Sequence, residues 1–259
     1  MAPFKKLVRF AVDAQACYGD LIGVKGNSYT VRKLEGSVFT QLKGTDEIYN
    51  VESLLCPIES TPIVLCIGLN YKEHAKEANL SIPKYPTVFT KPADSLAGPF
   101  EPIDIHPDAR ELLDYEGELT VIISRDAKNV SEEDALNYIL GYTAGNDVSA
   151  RNFQLPEFAP IGHTIVAADQ IPDPQTLRLR TKVNGVVKQE TSTGDMIYTV
   201  RQIISHLLRG TTLRKGTIIM TGTPSGVGFF CKEFLKDGDI VEVEIDDVAA
   251  TKNRMNHTE

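Results

Sequence analysis

Hydrophobic positions in this chain come in short bursts rather than long helical stripes. Residues 6–12, 19–24 and 28–32 are strand-like runs, broken at Gly26-Asn27, and they predict a small β module in the first 58 residues. Residues 51–55 read as a single helical turn. Pro57 and Pro62 bracket a connector that divides the chain into residues 1–58 and 59–259. Past it, Ile63-Val64-Leu65-Cys66-Ile67-Gly68 is apolar at successive positions, the pattern of a strand buried on both faces.

Further strands are expected at 88–90, 103–105, 119–124, 139–146, 218–221 and 240–245. A hairpin is expected over 177–191, turning at Gly185-Val186. Helices are fewer. Residues 71–79 have helix-favouring composition, and Ser131 followed by Asp134 resembles a helix N-terminus. Val200, Ile203, Ile204, Leu207 and Leu208 recur at helical spacing. With strands dominant, the expected class is α+β and β-rich rather than a doubly wound sheet.

Composition narrows the setting. The 259 residues are 42% hydrophobic and 24% charged, ample for a sizeable core. A net charge of -8 without any basic stretch argues against nucleic acid or an anionic membrane as partner. No apolar run approaches the roughly 20 residues that span a bilayer. Cys17, Cys56, Cys66 and Cys231 lie far apart, and they read as buried thiols in a reducing compartment. The cytoplasm is the expected location, with a mitochondrial address as the alternative.

The candidate chemistry begins at Asp114-Tyr115-Glu116-Gly117-Glu118, which runs directly into a strand. Side chains alternate along a strand, so Glu116 and Glu118 point the same way. Two carboxylates side by side at the entry to an apolar strand repel each other and resist burial, and a divalent cation relieves both problems. Asp147 is the third acid, read as sitting at a strand-to-helix junction. Three carboxylates suit Mg²⁺ or Mn²⁺, whereas Zn²⁺ prefers His or Cys. An isolated Glu-x-Glu is more often a pair of solvated acids. His74 and Glu77 are three apart on the first expected helix, and such a pair makes a general base for water. Thr221-Gly222-Thr223-Pro224-Ser225-Gly226-Val227-Gly228 forms a tight loop that can offer donors to an anion, without the spacing or the lysine of a P-loop.

Together these segments resemble the fumarylacetoacetate hydrolase family. The resemblance rests on Gly-Leu-Asn-Tyr-Lys-Glu-His at 68–74, Phe-Thr-Lys-Pro at 89–92, Asp-Tyr-Glu-Gly-Glu-Leu at 114–119, and Gly-Tyr-Thr-Ala-Gly-Asn-Asp-Val-Ser-Ala-Arg at 141–151. Val-Asn-Gly at 183–185, Asp-Met-Ile at 195–197 and the glycine loop follow in order. It implies a catalytic domain of rolled mixed β-sheet over 59–259, preceded by a small β domain, in a homodimer with one Mg²⁺ or Mn²⁺ per subunit. It implies metal ligation by Glu116, Glu118 and Asp147, water activation by His74 with Glu77, and substrate contacts from Arg151, Gln154 and Thr223. The expected reaction is hydrolysis of a carbon–carbon bond in an acylpyruvate, through a pyruvate enolate held at the metal. Oxaloacetate decarboxylation, isomerisation of a dienoic 2-keto acid, and an impaired keto-acid-binding member are the alternatives. One departure stands out. Gln154-Leu155-Pro156-Glu157 runs straight into Phe158-Ala159-Pro160-Ile161-Gly162, and the segment that carries the family's active-site lysine is missing between them.

Overall fold

The computed structural model describes residues 2–152, 155–156 and 158–259. Fifteen strands build its two main sheets. They are β1 (Lys6–Val12), β2 (Gln15–Lys25), β3 (Ser28–Ser37), β4 (Gln41–Val51), β5 (Val64–Gly68), β6 (Thr87–Lys91), β7 (Ile103–Ile105), β8 (Gly117–Ile123) and β9 (Ile139–Asn146). The remainder are β10 (Ile165–Ala167), β11 (Arg178–Val183), β12 (Val186–Ser192), β13 (Ile218–Met220), β14 (Ile240–Ile245) and β15 (Ala249–His257). Three short helices accompany them: α1 (Lys72–Glu77), α2 (Val200–Leu207) and α3 (Gly228–Cys231).

The larger sheet has the order β4-β3-β2-β1-β10-β9-β8-β13-β5-β6, and the smaller β12-β11-β14-β15-β7. Both are mixed: β13 runs parallel to β5 and β15 parallel to β7, while the other neighbours are antiparallel. This is the β-rich α+β class expected. The N-terminal strands form an antiparallel meander that joins the large sheet through β1 and β10, pairing Lys6 with Val166.

Strand β8 lies at the centre, and all seven of its residues are buried. Leu119, Val121 and Ile123 pack in a cluster with Leu179, Val241 and Val243 of the smaller sheet. Ile122 points the other way, into a cluster with Val64, Cys66, Ile218 and Met220. Alternation therefore sends Glu118 and Thr120 to that second face. A charged residue is carried into the interior because its neighbours along the same strand bury both faces.

Several expectations shift. Residues 51–55 form no helical turn; Leu55 N instead donates to Arg9 O at 2.8 Å and bridges back to β1. Ser131 and Asp134 do bond to each other, but only a four-residue 3-10 turn, Ala135–Tyr138, follows. The hairpin turns at Asn184-Gly185, one residue early, because these two residues take the positive φ values (50° and 79°) that such a tight turn requires. The C-terminal residues Ala249–His257 form β15, which lies between β14 and β7 in the smaller sheet. Of the cysteines, Cys66 is buried whereas Cys231 is exposed, and all four thiols are free. No helix among the described residues is long and apolar enough to cross a membrane.

Candidate metal centre and active site

Glu116 precedes β8, Glu118 lies within it, and Asp147 follows β9, the strand paired with β8. Two bonds lock this corner: Glu116 N donates to Asn146 Oδ1 at 3.0 Å, and Asp147 N to Glu116 O at 2.8 Å. The antiparallel register places Glu118 opposite Gly145. As a result the three carboxylates converge, with one oxygen from each lying within 4.8 Å of the others. The expected strand-to-helix junction at Asp147 is not found. A two-residue strand, Ser149–Ala150, follows instead.

Each carboxylate has one oxygen held by a donor of the protein. Gly222 N donates to Glu118 Oε2 at 2.6 Å. Lys91 Nζ lies 2.5 Å from Asp147 Oδ1. Arg151 Nη2 donates to Glu116 Oε1. The second oxygen of Asp147 is buried with no hydrogen-bond partner among the described residues. Burial pushes Glu116 up to about 7, with the Arg151 charge opposing it and Asp147 adding to it. Burial pushes Glu118 well above the carboxylate range, and Asp147 and Glu116 add to that by like-charge repulsion. Three acids this close in a dry corner cannot all ionise without positive charge between them. The orphaned Asp147 oxygen and the all-oxygen donor set fit a hard divalent cation of the Mg²⁺ or Mn²⁺ type.

Two buried charged residues at this corner were not among the expected site residues. Lys91 ends β6 and is only 1% exposed. Besides Asp147, its Nζ donates to Val148 O at 2.7 Å and Phe158 O at 3.0 Å, so three acceptors meet an ammonium's three N–H bonds. A buried lysine thus stands in the site. Local pattern gave little signal for it, since β6 is an edge strand whose other four residues are exposed and Lys91 alone is buried. Asp114, fully buried, is the other.

His74 and Glu77 also meet. In α1, His74 Nδ1 lies 3.0 Å from Glu77 Oε2. Glu77 Oε1 in turn accepts from Gly226 N at 3.0 Å. Helix α1 is short because Asn79 enters the left-handed region at φ 52°, while Leu80 N bonds back to Ala75 O at 2.9 Å. Asn70, buried at its start, donates to Tyr198 O and Thr221 O and so ties α1 to the glycine loop. That loop does present donors, but to the protein's own acids: Gly222 to Glu118, Gly226 to Glu77 and Gly228 to Asp114. Gly222 has φ +103°, and a Cβ there would lie 2.6 Å from Asn70 Cβ. Thr223 is buried; its hydroxyl accepts from Gln189 Nε2 at 2.8 Å and donates to Gly117 O at 3.2 Å. Gln154 lies outside the described residues.

His74, Lys91, Glu116, Arg151 and Thr223 line one cavity of about 690 Å³. Leu69, Leu80, Phe89, Phe229 and Phe230 supply its apolar wall. A polar, acid-floored end and an aromatic flank suit a small, partly charged organic molecule.

Fold and site together define a β-rich α+β protein in which a buried cluster of three carboxylates, able to hold a divalent cation, sits beside a cavity. Residues 63–256 match the fumarylacetoacetate (FAA) hydrolase C-terminal family. A fumarylacetoacetate hydrolase domain-containing protein 2 homolog from Dictyostelium discoideum is 41% identical, the match covering 84% of each chain. The mitochondrial oxaloacetate tautomerase fahd2 of Xenopus laevis is 40% identical over 78% of this chain and 67% of its own. Among solved structures, a 2-hydroxyhepta-2,4-diene-1,7-dioate isomerase from Mycobacterium marinum superposes with a TM-score of 0.84 at 32% identity, covering 98% of this chain and 99% of the isomerase. The chain belongs to the fumarylacetoacetate hydrolase family.

Proposed function

We propose that the chain is a Mg²⁺- or Mn²⁺-dependent tautomerase of short 2-keto acids, with oxaloacetate as the first substrate to test. The observation that carries the reading is the placement of His74, braced by Glu77, on the cavity that Glu116 of the Glu116–Glu118–Asp147 cluster also lines. The names of its tautomerase and isomerase relatives support the choice of reaction.

Tautomerisation needs a proton moved between carbon and oxygen, and a means of stabilising the enolate charge in between. A divalent cation, when bound, would supply that stabilisation by drawing electron density from the keto oxygen. Glu116, Glu118 and Asp147 would hold it. Glu77 fixes the His74 tautomer by accepting from Nδ1–H, which leaves the Nε2 lone pair free to take the proton from the enol oxygen and deliver it to carbon, or to run the same transfer in reverse. Lys91 and Arg151 keep two of the carboxylates oriented. The apolar wall excludes water around the reacting carbon.

Hydrolysis of an acylpyruvate is the second reading. The aromatic flank of Phe89, Phe229 and Phe230 favours it, since it suits an uncharged acyl end. In that reaction His74 would take its proton from a water rather than from the substrate. One panel separates the two: loss of the enol absorbance of oxaloacetate, and pyruvate release from acetylpyruvate, each with Mn²⁺ and with EDTA. Metal-dependent enol loss that falls about 10²–10⁴-fold in His74→Gln is expected. Enol loss at the uncatalysed rate, with rapid pyruvate release, would replace the first reading with the second.

A further inference from the structure

Asp114 is a fully buried carboxylate that neither the acid cluster nor the His74–Glu77 pair uses. Both of its oxygens are saturated. Oδ1 accepts from Tyr115 N at 2.9 Å and Gly228 N at 2.7 Å. Oδ2 accepts from Phe229 N at 2.9 Å, Arg151 Nε at 3.0 Å and Arg151 Nη2 at 2.8 Å. The same Nη2 reaches on to Glu116 Oε1. Among the described residues, Arg151 is the one hydrogen-bond donor to the Glu116 carboxylate, and Asp114 and Glu116 are the two acceptors of its guanidinium.

The backbone of Glu116 is fixed by Asn146 and Asp147, but its side chain still has three rotatable bonds between Cα and the carboxylate. A planar guanidinium gripped at one end by a rigid acid removes that freedom at the other end. The Asp114–Arg151 pair is neutral as a unit, so it steadies Glu116 without adding net positive charge where a cation must approach. We propose that Asp114 and Arg151 are positioning residues for metal binding, with Asp114 acting on Glu116 only through Arg151. The proposal rests on reading the acid cluster as the metal site.

The test is a double-mutant cycle read by Mn²⁺ dissociation constants from calorimetry and electron paramagnetic resonance, with no turnover involved. Arg151→Met is expected to weaken Mn²⁺ binding about 10–100-fold, the range seen when a ligand's outer support is removed. Asp114→Asn is expected to match it, and the double variant to be no weaker than the weaker single. Arg151→Lys stays weakened, because an ammonium cannot grip both acids with a planar fork. If Asp114→Asn fails to fold, the two Arg151 variants still decide. Wild-type affinity in Arg151→Met, or effects that multiply in the double variant, would overturn the proposal. Wild-type protein that binds no Mn²⁺ would remove the metal reading, and this proposal with it.

Discussion

Lys91 Nζ lies 2.5 Å from Asp147 Oδ1, and both side chains are buried, at 1% and 0% exposure. This contact joins the end of one strand to the end of another across the floor of the cavity. It makes Lys91, with Arg151 on Glu116, one of two positive charges built into the acid cluster.

Removing that charge leaves Asp147 and two backbone carbonyls uncompensated in the interior. Breaking one half of a buried pair typically costs about 3–5 kcal/mol. Lys91→Met is therefore expected to lose stability of that order in EDTA, and to recover part of it in saturating Mg²⁺. Urea unfolding with and without metal measures both. Equal stability of variant and wild type in EDTA would show that the pair is not what holds this corner.

Glu118 is expected to behave in the opposite way. Its burial and its two acidic neighbours disfavour the ionised form, so Glu118→Gln removes repulsion while Gly222 N keeps an acceptor. In EDTA the variant should melt at or above the wild-type temperature. Its metal-dependent rise in melting temperature should vanish, the pattern of a site kept for function at a cost in stability. A melting temperature several degrees lower in EDTA would contradict this.

Acid stability should carry a contribution from His163. Burial lowers its pKa, and its ring stacks on Phe100 at 6.0 Å and tilts against Tyr29 at 6.1 Å. The folded protein thus prefers the neutral imidazole more strongly than the unfolded chain does. The stabilisation is present above the unfolded value of roughly 6.5 and is lost as pH falls through that value toward the lower folded one. His163→Gln should flatten this part of the profile. Urea unfolding at successive pH values between neutral and mildly acidic checks it, and a slope identical to wild type would rule the residue out.

Gly117 separates the two metal-ligand candidates of the Glu-x-Glu pair. A Cβ there would meet Thr181 Oγ1 at 1.9 Å and Val243 Cγ1 at 3.2 Å. Gly117→Ala should cost about 1–3 kcal/mol through overpacking and loosen Mn²⁺ binding by displacing its neighbours. Thr181→Ala removes the nearest obstruction and should restore part of both. Calorimetric melting and Mn²⁺ titration of the single and double variants give the comparison; no rescue by Thr181→Ala would place the strain elsewhere.

What the sequence determined by itself was whatever depends on spacing along one element. Strand alternation was enough to put Glu116 and Glu118 on one side, and the three-residue interval on a helix was enough to pair His74 with Glu77. Apolar runs marked the buried strands, β5 and β8 above all, because a strand covered on both faces leaves no place for alternation. Asp147 was legible as a third acid from its place after an apolar run, and the ordered motifs added the family.

Only the tertiary structure decided which groups meet across elements. Sheet register brings Asp147 beside Glu116, and the packing of β6 carries Lys91 in to face it. The glycine loop's amides look in sequence like donors waiting for an anion, but the fold directs three of them onto Glu118, Glu77 and Asp114. Arg151, expected to meet substrate, lines the cavity and also bridges Asp114 and Glu116. Such contacts depend on the relative placement of segments far apart in the chain, and local pattern carries no information about that distance. A buried charge must find its partner wherever packing places one, so the partner is fixed by the fold.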